Sequence, residues 1–158
     1  ENKQVEKRLV AEIIQIDDNP FSMKFMINKG SKHDIYVGQT VIDAFGIIGQ
    51  VVDVSLVSAR VLMITDVTHA IPVRVNRNGV RATVIGTGQI NQLALEYVPD
   101  TTDIKVGDLL LSSGLGLRFP DGYPVATVAS IEHNPGDPFA TIFEVASFFK
   151  MEGLWCVF

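Results

Sequence analysis

The sequence predicts an all-β protein, two consecutive small six-stranded β-barrels preceded by a short N-terminal helical stub. Three observations carry this prediction. Val, Ile, Phe and Thr gather in short runs cut by Gly, Asn, Asp and Pro, the composition of strands and turns. The nonapeptide at 34–42 recurs at 103–111, an offset of 69 residues, with Asp, Ile, Val and Gly in the same places. A chain of 158 residues with 47% apolar side chains is long enough to bury one core or two small ones.

Taken in order, residues 1–9 place Val5 and Leu9 four apart among Lys3, Glu6, Lys7 and Arg8. That spacing predicts the last turns of a charged helix, the end of a coiled coil if the chain extends upstream, and makes Val5 and Leu9 candidates for self-association. The first barrel is placed at 10–77, with strands near 9–16, 22–28, 40–43, 48–54, 60–64 and 71–76. In the last of these, Ile71, Val73 and Val75 alternate with Arg74 and Asn76, which predicts one buried face. The second barrel is placed at 78–158, with strands near 81–85, 92–98, 109–112, 125–131, 141–147 and 154–158. The same offset lays 9–16 on 78–85, so a first strand falls on a seventh and the boundary falls near 76–79. Gly38 and Gly107 occupy matching places in the repeat, each supplying a backbone turn before apolar residues enter the core. One feature pulls against the boundary: Asn78-Gly79 is a good hairpin turn, which would pair the strands on either side of it.

Composition narrows the function classes. Thirteen Lys and Arg against eighteen Asp and Glu leave a net charge of -5, which opposes nucleic-acid binding through phosphate neutralisation. The longest apolar stretch, 56–64, is broken by Arg60 and is too short to span a bilayer. Cys156 is the single cysteine, and His33, His69 and His133 are scattered, so neither a disulfide framework nor a metal site is expected. The triplet Asp17-Asp18-Asn19 runs into Pro20 and reads as a turn, not a calcium loop. Gly86-Thr87-Gly88 and Gly114-Leu115-Gly116 lack the third glycine and the following helix of a dinucleotide site and also read as turns. No cofactor or small-molecule substrate is expected.

A two-barrel chain invites comparison with serine proteases, and His69, Asp103 or Asp108, and Ser113 occur in a workable order. Their context is that of loops and turns. The apolar residues of the loop 114–124 and the neighbours Phe148 and Phe149 are better candidates for function. Strand alternation turns one of two adjacent Phe outward, and Leu115, Leu117, Phe119 and Tyr123 exceed what a solvated loop needs. Leu115, Phe119, Tyr123, Phe148 and Phe149 are therefore the candidate partner-binding residues; the alternative is that the loop plugs the end of its barrel.

At these residues the sequence resembles the rod-shape-determining MreC family, in its major extracytoplasmic domain. The marks are Gly38-Gln39 leading to Gly46-Ile47-Ile48-Gly49-Gln50-Val51, then Val61-Leu62-Met63-Ile64-Thr65-Asp66 and Ile71-Pro72-Val73-Arg74-Val75. Gly86-Thr87-Gly88, Gly107-Asp108, Ser112-Ser113-Gly114-Leu115-Gly116 and Phe119-Pro120-Asp121-Gly122-Tyr123-Pro124-Val125 complete the set. The family often has Thr at Ser112 and Gly at Leu117 and Ala126, departures that bear on local loop shape. The resemblance implies the periplasmic domain of a single-pass inner-membrane protein, with a coiled coil and then two β-barrels outside the membrane. It implies a non-enzymatic scaffold of peptidoglycan elongation that self-associates, binds the elongation transpeptidase, and reaches MreD and MreB through the full-length protein. The chain opens on Glu1 without an initiator Met or signal-peptide pattern, as a fragment trimmed to its folded part would. Alternatives from other classes are a protease-like hydrolase acting through Ser113 and an efflux-type periplasmic adaptor. A nucleic-acid-binding barrel is disfavoured by charge.

Overall fold

Alternation of apolar and polar residues sets the strands, and long-range pairing decides which barrel each one joins. The computed structural model describes residues 7–17, 19, 21–90, 92–99, 101–133, 139–145 and 153–158. The strands are β1 (Arg8–Ala11), β2 (Ile13–Ile16), β3 (Lys24–Ile27), β4 (Thr40–Ile42), β5 (Ile47–Val54), β6 (Ala59–Met63) and β7 (Ala70–Val75). They continue as β8 (Arg81–Gly86), β9 (Leu93–Pro99), β10 (Leu109–Ser112), β11 (Pro124–His133), β12 (Phe139–Val145) and β13 (Leu154–Val157). Only two single 3-10 turns, Ser31–His33 and Leu115–Leu117, interrupt the β structure among the described residues. In β7 Ile71, Val73 and Val75 are fully buried, as their alternation predicts.

Two barrel-like sheets result. One is a closed barrel in the order β10-β11-β12-β9-β8-β7; the other is a seven-stranded sheet in the order β1-β13-β4-β5-β6-β3-β2. The two ends of that sheet, β1 and β2, are separated only by Glu12, so one bent stretch of chain closes it. Asn28 holds the bend: its Oδ1 accepts the Glu12 N–H at 2.9 Å and its own N–H donates to the Glu12 carbonyl at 3.0 Å. With β1 and β2 counted as one bent strand, the cyclic orders of the two units coincide, β13 standing where β7 stands in the second.

The repeat survives at atomic detail. Gly38 and Gly107 have φ of 96° and 94°, a region open to glycine and costly to other residues. Their N–H groups donate to the carbonyls of Val51 and Val128, both at 2.8 Å. The next side chain then binds the turn, Gln39 Oε1 accepting the Tyr36 N–H at 3.2 Å and Asp108 Oδ2 the Lys105 N–H at 2.9 Å. Each of these side chains also reaches toward the strand that closes its own barrel. Gln39 Nε2 donates to the Val157 carbonyl in β13 at 3.2 Å, and Asp108 takes a two-pronged bond from Arg77, just past β7, at 3.0 Å for each prong.

Two expectations are corrected. The N-terminal stub is not helical where it is described: Arg8–Ala11 is strand β1, with Leu9 opposite Cys156 and packed against the first core. An outward Val10 and a buried Ala11 show the period of a strand, which nine residues of sequence could not separate from a helix. Val5 lies outside the described residues. The boundary at 76–79 is also displaced, because 76–79 is a hairpin loop inside the second barrel, pairing β7 with β8 from Arg74↔Arg81 to Ala70↔Ile85. The crossover between units runs through 64–69 instead, and β13 returns to complete the first unit by pairing β1 and β4. The second barrel is thus inserted within the first unit, and the last residue returns to the start of β1, Phe158 N–H donating to the Lys7 carbonyl at 2.9 Å.

The units share a seam. In β4, Val41 faces the first core and Ile42 joins the second; in β5, Ile48 and Ile47 divide the same way, and in β13, Cys156 and Val157 do. At these positions the strands are buried on both faces, which is why adjacent residues such as Val41-Ile42 and Ile47-Ile48 are both apolar.

Candidate partner-binding face

Pairing registers locate a large difference between the copies. Val41 faces Gly49 across β4 and β5, whereas Leu110 faces Ala126 across β10 and β11, so the second connection is eight residues longer. That extra length is the Gly-rich loop. Its base is fixed by Ser112, which is fully buried. Ser112 Oγ donates to the Pro120 carbonyl and accepts the Tyr123 N–H at 3.0 Å, while the Ser112 N–H donates to the Tyr123 carbonyl at 2.8 Å. Ser113 N–H donates to the Pro72 carbonyl at 3.1 Å, and Arg74 holds Asp121 at 3.3 Å, tying both arms of the loop to β7.

Pinned at its base, the loop divides its apolar residues. Phe119 turns inward and is 5% exposed, and Tyr123 packs partly buried on the same core with the Arg8 guanidinium 6.0 Å from its ring. The plug reading holds for these two, and the expectation that Phe119 is a surface anchor is corrected: its ring closes the barrel end. Leu115 and Leu117 turn outward, Leu117 being 96% exposed. Leu117 also holds a φ of 58°. A left-handed conformation costs a non-glycine residue roughly 1 kcal/mol, so the loop fixes an exposed leucine in a strained, directed pose. Phe148 and Phe149 lie outside the described residues.

Behind Phe119 sits the crossover. Ile64 N–H donates to Ile48 in the first unit, while Gly86 and Gly88 in the second donate to the carbonyls of His69 and Thr65 at 3.1 and 2.8 Å. Asp66 accepts the N–H of Met23 at 2.7 Å and both N–H and Oγ1 of Thr68. Burial opposes its ionisation, but these bonds outweigh the opposition and hold its carboxyl below the usual range. His69 meets Phe119 edge-on, centroids 5.6 Å apart, and neither of its ring nitrogens has a hydrogen-bond partner among the described residues. Burial, aided by the Arg118 cation, pushes its pKa down to about 4, so the ring is neutral at pH 7.

The outer side of the loop forms one wall of a cleft of about 430 Å³. Leu117, Arg118 and Pro120 face Tyr36, Val157 and Phe158 of the first unit across it. Tyr36 and Phe158 pack edge-to-face at 6.4 Å between centroids. Of these first-unit residues, Tyr36 was not singled out from the sequence. A signal existed: the repeat has Lys105 where the first copy has Tyr36, an aromatic in a turn position the fold leaves half exposed.

The residues of the protease comparison are not brought together. Asp103 and Asp108 both bind Arg77, which lowers both carboxyls; His69 faces Phe119; and Ser113 Oγ accepts the N–H of Leu115. Among the described residues no group of three or more His, Cys, Asp or Glu is placed to hold a metal ion. Cys156 is fully buried, and burial pushes its thiol up to about 11, away from thiolate chemistry.

Compared with known proteins, residues 13–158 match the family described as rod shape-determining protein MreC, barrel core. The chain belongs to the MreC family. The cell shape-determining protein MreC of Escherichia coli (strain K12) is 47% identical over 130 residues, covering 82% of this chain and 35% of that protein. The chain therefore spans about a third of that relative's length. The crystal structure of MreC from Pseudomonas aeruginosa superposes with a TM-score of 0.92 at 53% identity, covering 96% of this chain and 99% of that one. The fold is shared, at a TM-score of 0.74 and 15% identity, with a structure of the complex between the penicillin-binding protein PBP2 and MreC from Helicobacter pylori, over 97% of this chain and 98% of that one.

In this chain the glycine motifs read from the sequence stand at the joints. A side chain on Gly86 would overlap the Asp66 carbonyl, and one on Gly46 the Pro124 carbonyl, so Gly86 lets the second unit approach the crossover, and Gly46 lets the first unit approach the second, at backbone distance. Gly86-Thr87-Gly88 is more than a turn: it is the seat on which the crossover rests.

Proposed function

We propose that the chain is the barrel part of a non-enzymatic cell-shape scaffold that holds the elongation transpeptidase of peptidoglycan synthesis. One observation carries this reading: a loop added to only one copy of a duplicated fold, pinned at its base and strained at its tip, presents Leu115 and Leu117 to the outside. Apolar groups held rigidly in the open serve association, because little conformational entropy is left to lose on binding. The complex of PBP2 with an MreC from Helicobacter pylori supports a partner of that kind. No helix among the described residues is long and apolar enough to cross a membrane. On this reading the chain works in the periplasm, and anchoring in the inner membrane and the links to MreD and MreB belong to the longer protein.

Self-association is part of the same proposal, although not through the route first expected. Leu9 is committed to β1, so helix pairing through Leu9 has no support among the described residues, whereas β1 and β2, the end strands of the first sheet, each pair along one edge only and leave the strand-edge route open. The transpeptidase reading is tested with Leu115→Asp. Its binding to the transpeptidase's periplasmic region, followed by surface plasmon resonance, should weaken about tenfold or more with an unchanged melting temperature. Binding equal to wild type would move the partner surface off this loop.

A further inference from the structure

Charge and apolar surface meet in the cleft between the Gly-rich loop and the first unit. Two charged side chains reach it, Arg118 and Asp121. Asp121 is paired with Arg74. Arg118 is exposed and has no carboxylate partner among the described residues, its guanidinium lying 6.0 Å from the centroid of Phe119. In a chain of net charge -5, a cation left without a counter-ion at an apolar cleft draws negative charge to that place. Opposite it, Tyr36 and Phe158 keep 49% and 42% of their surface exposed, and the strained Leu117 projects beside them. The space suits a few side chains, not a folded element.

We propose that this cleft seats an extended segment of a protein partner that carries a large apolar side chain beside a carboxylate. The apolar group lies between Leu117 and the Tyr36 and Phe158 rings, and the carboxylate meets the Arg118 guanidinium. Arginine suits this role because its planar fork takes a carboxylate in two parallel bonds while its face stays on an aromatic ring. The inference rests on the partner-binding reading of the loop and adds two things to it, a contribution from the first unit and a sign of charge for the partner.

Two octapeptides serve as probes, one alternating aspartate with leucine and one alternating lysine with leucine. Each is titrated into the isotope-labelled chain and followed by the amide resonances of Tyr36, Leu117, Arg118 and Phe158. The acidic peptide should shift these amides together and the basic one should not. Arg118→Glu should weaken the acidic peptide about tenfold or more and admit the basic one, as expected when a charge pair is reversed. Tyr36→Ala should weaken the acidic peptide several-fold, a loss that a site made by the loop alone would not show. Both positions are exposed or half exposed, and an unchanged amide spectrum away from the cleft confirms that each variant is folded. Equal shifts from the two peptides, shifts elsewhere, no binding at millimolar peptide, or indifference to Arg118→Glu would each overturn the proposal. The transpeptidase's periplasmic region is titrated in parallel. If it binds and only Leu115→Asp weakens it while the peptides show no selectivity, the scaffold reading stands and the cleft falls. If it does not bind wild type but the peptides discriminate by charge, the cleft stands and the choice of partner falls.

Discussion

The two units are built on one plan and differ in how they are closed and what they display. Each contains the same glycine turn followed by a polar side chain that reaches toward its closing strand. In the first unit that side chain is neutral, because Gln39 has to donate an N–H to the Val157 carbonyl; in the second it is an anion, because Asp108 accepts from Arg77. The first unit joins β4 to β5 by a short turn, and the second spends eight more residues on a loop that buries Phe119 and exposes Leu117. A duplicated fold keeps what closes a barrel and changes what faces outward. The difference therefore points to the second unit's loop, and to the first-unit wall beside it, as the place where this protein meets others.

The largest expected effect comes from breaking closure in one unit only. Deleting 154–158 removes β13 and with it the partner of β1 and one neighbour of β4, along with the buried Leu154 and Cys156 of the first core, while the second core loses Val157 but none of its strands. Hydrogen exchange should show the amides of β1 and β4 losing protection while those of β7, β8 and β10 stay slow, since the second barrel closes through its own hairpin. Uniform loss across both units would mean that the shared seam, not closure, holds each of them.

Next in size is the crossover, where His69 is buried against Phe119. Its pKa falls from 6.5 to about 4 on folding, so as pH drops the unfolded chain takes up the proton first. Stability from this group is full above about 6.5, declines between 6.5 and 4, and levels off below, a loss of about 3 kcal/mol. Urea unfolding at pH 7 and pH 4 should show His69→Leu losing less stability on acidification than wild type. An identical loss in the two proteins would assign the acid sensitivity to other groups.

A smaller effect measures how alike the copies are. Gly38→Ala and Gly107→Ala each place a Cβ in open space at nearly the same positive φ. Each should therefore cost about 1 to 2 kcal/mol from backbone strain alone, and the two should agree within about 0.5 kcal/mol. Denaturant midpoints for the pair would reveal any asymmetry, and a clear one would show that the turns carry different loads despite matching hydrogen bonds.

The smallest effect on stability falls on the displayed residue. Leu117→Gly relieves the left-handed strain and removes no buried contact, so thermal unfolding should move by at most about 1 kcal/mol in either direction. Transpeptidase binding should weaken all the same. A marked fall in melting temperature would give Leu117 a structural task inside the loop.

The sequence by itself determined what depends on short-range pattern. Alternation in Ile71, Val73 and Val75 set a strand with one buried face, and the repeat at 34–42 and 103–111 set two like turns, because a glycine at positive φ and the apolar residues after it act within one turn of chain. The plug made by Phe119 and Tyr123 and the outward pose of Leu115 were both present as readings of one loop, and sequence could not divide the residues between them. Tertiary structure decided the rest. Arg8–Ala11 became a strand because β13 was there to pair with it, from a sequence separation that no local pattern records. β7 and β13 hold equivalent places in their barrels, yet β7 is joined to β8 by a short hairpin loop and β13 comes only after the whole second barrel has been threaded. The neutral His69 and the cleft before Arg118 exist for the same reason. Burial and electrostatic environment are made by residues brought together from distant parts of the chain, and they belong to no single segment of it.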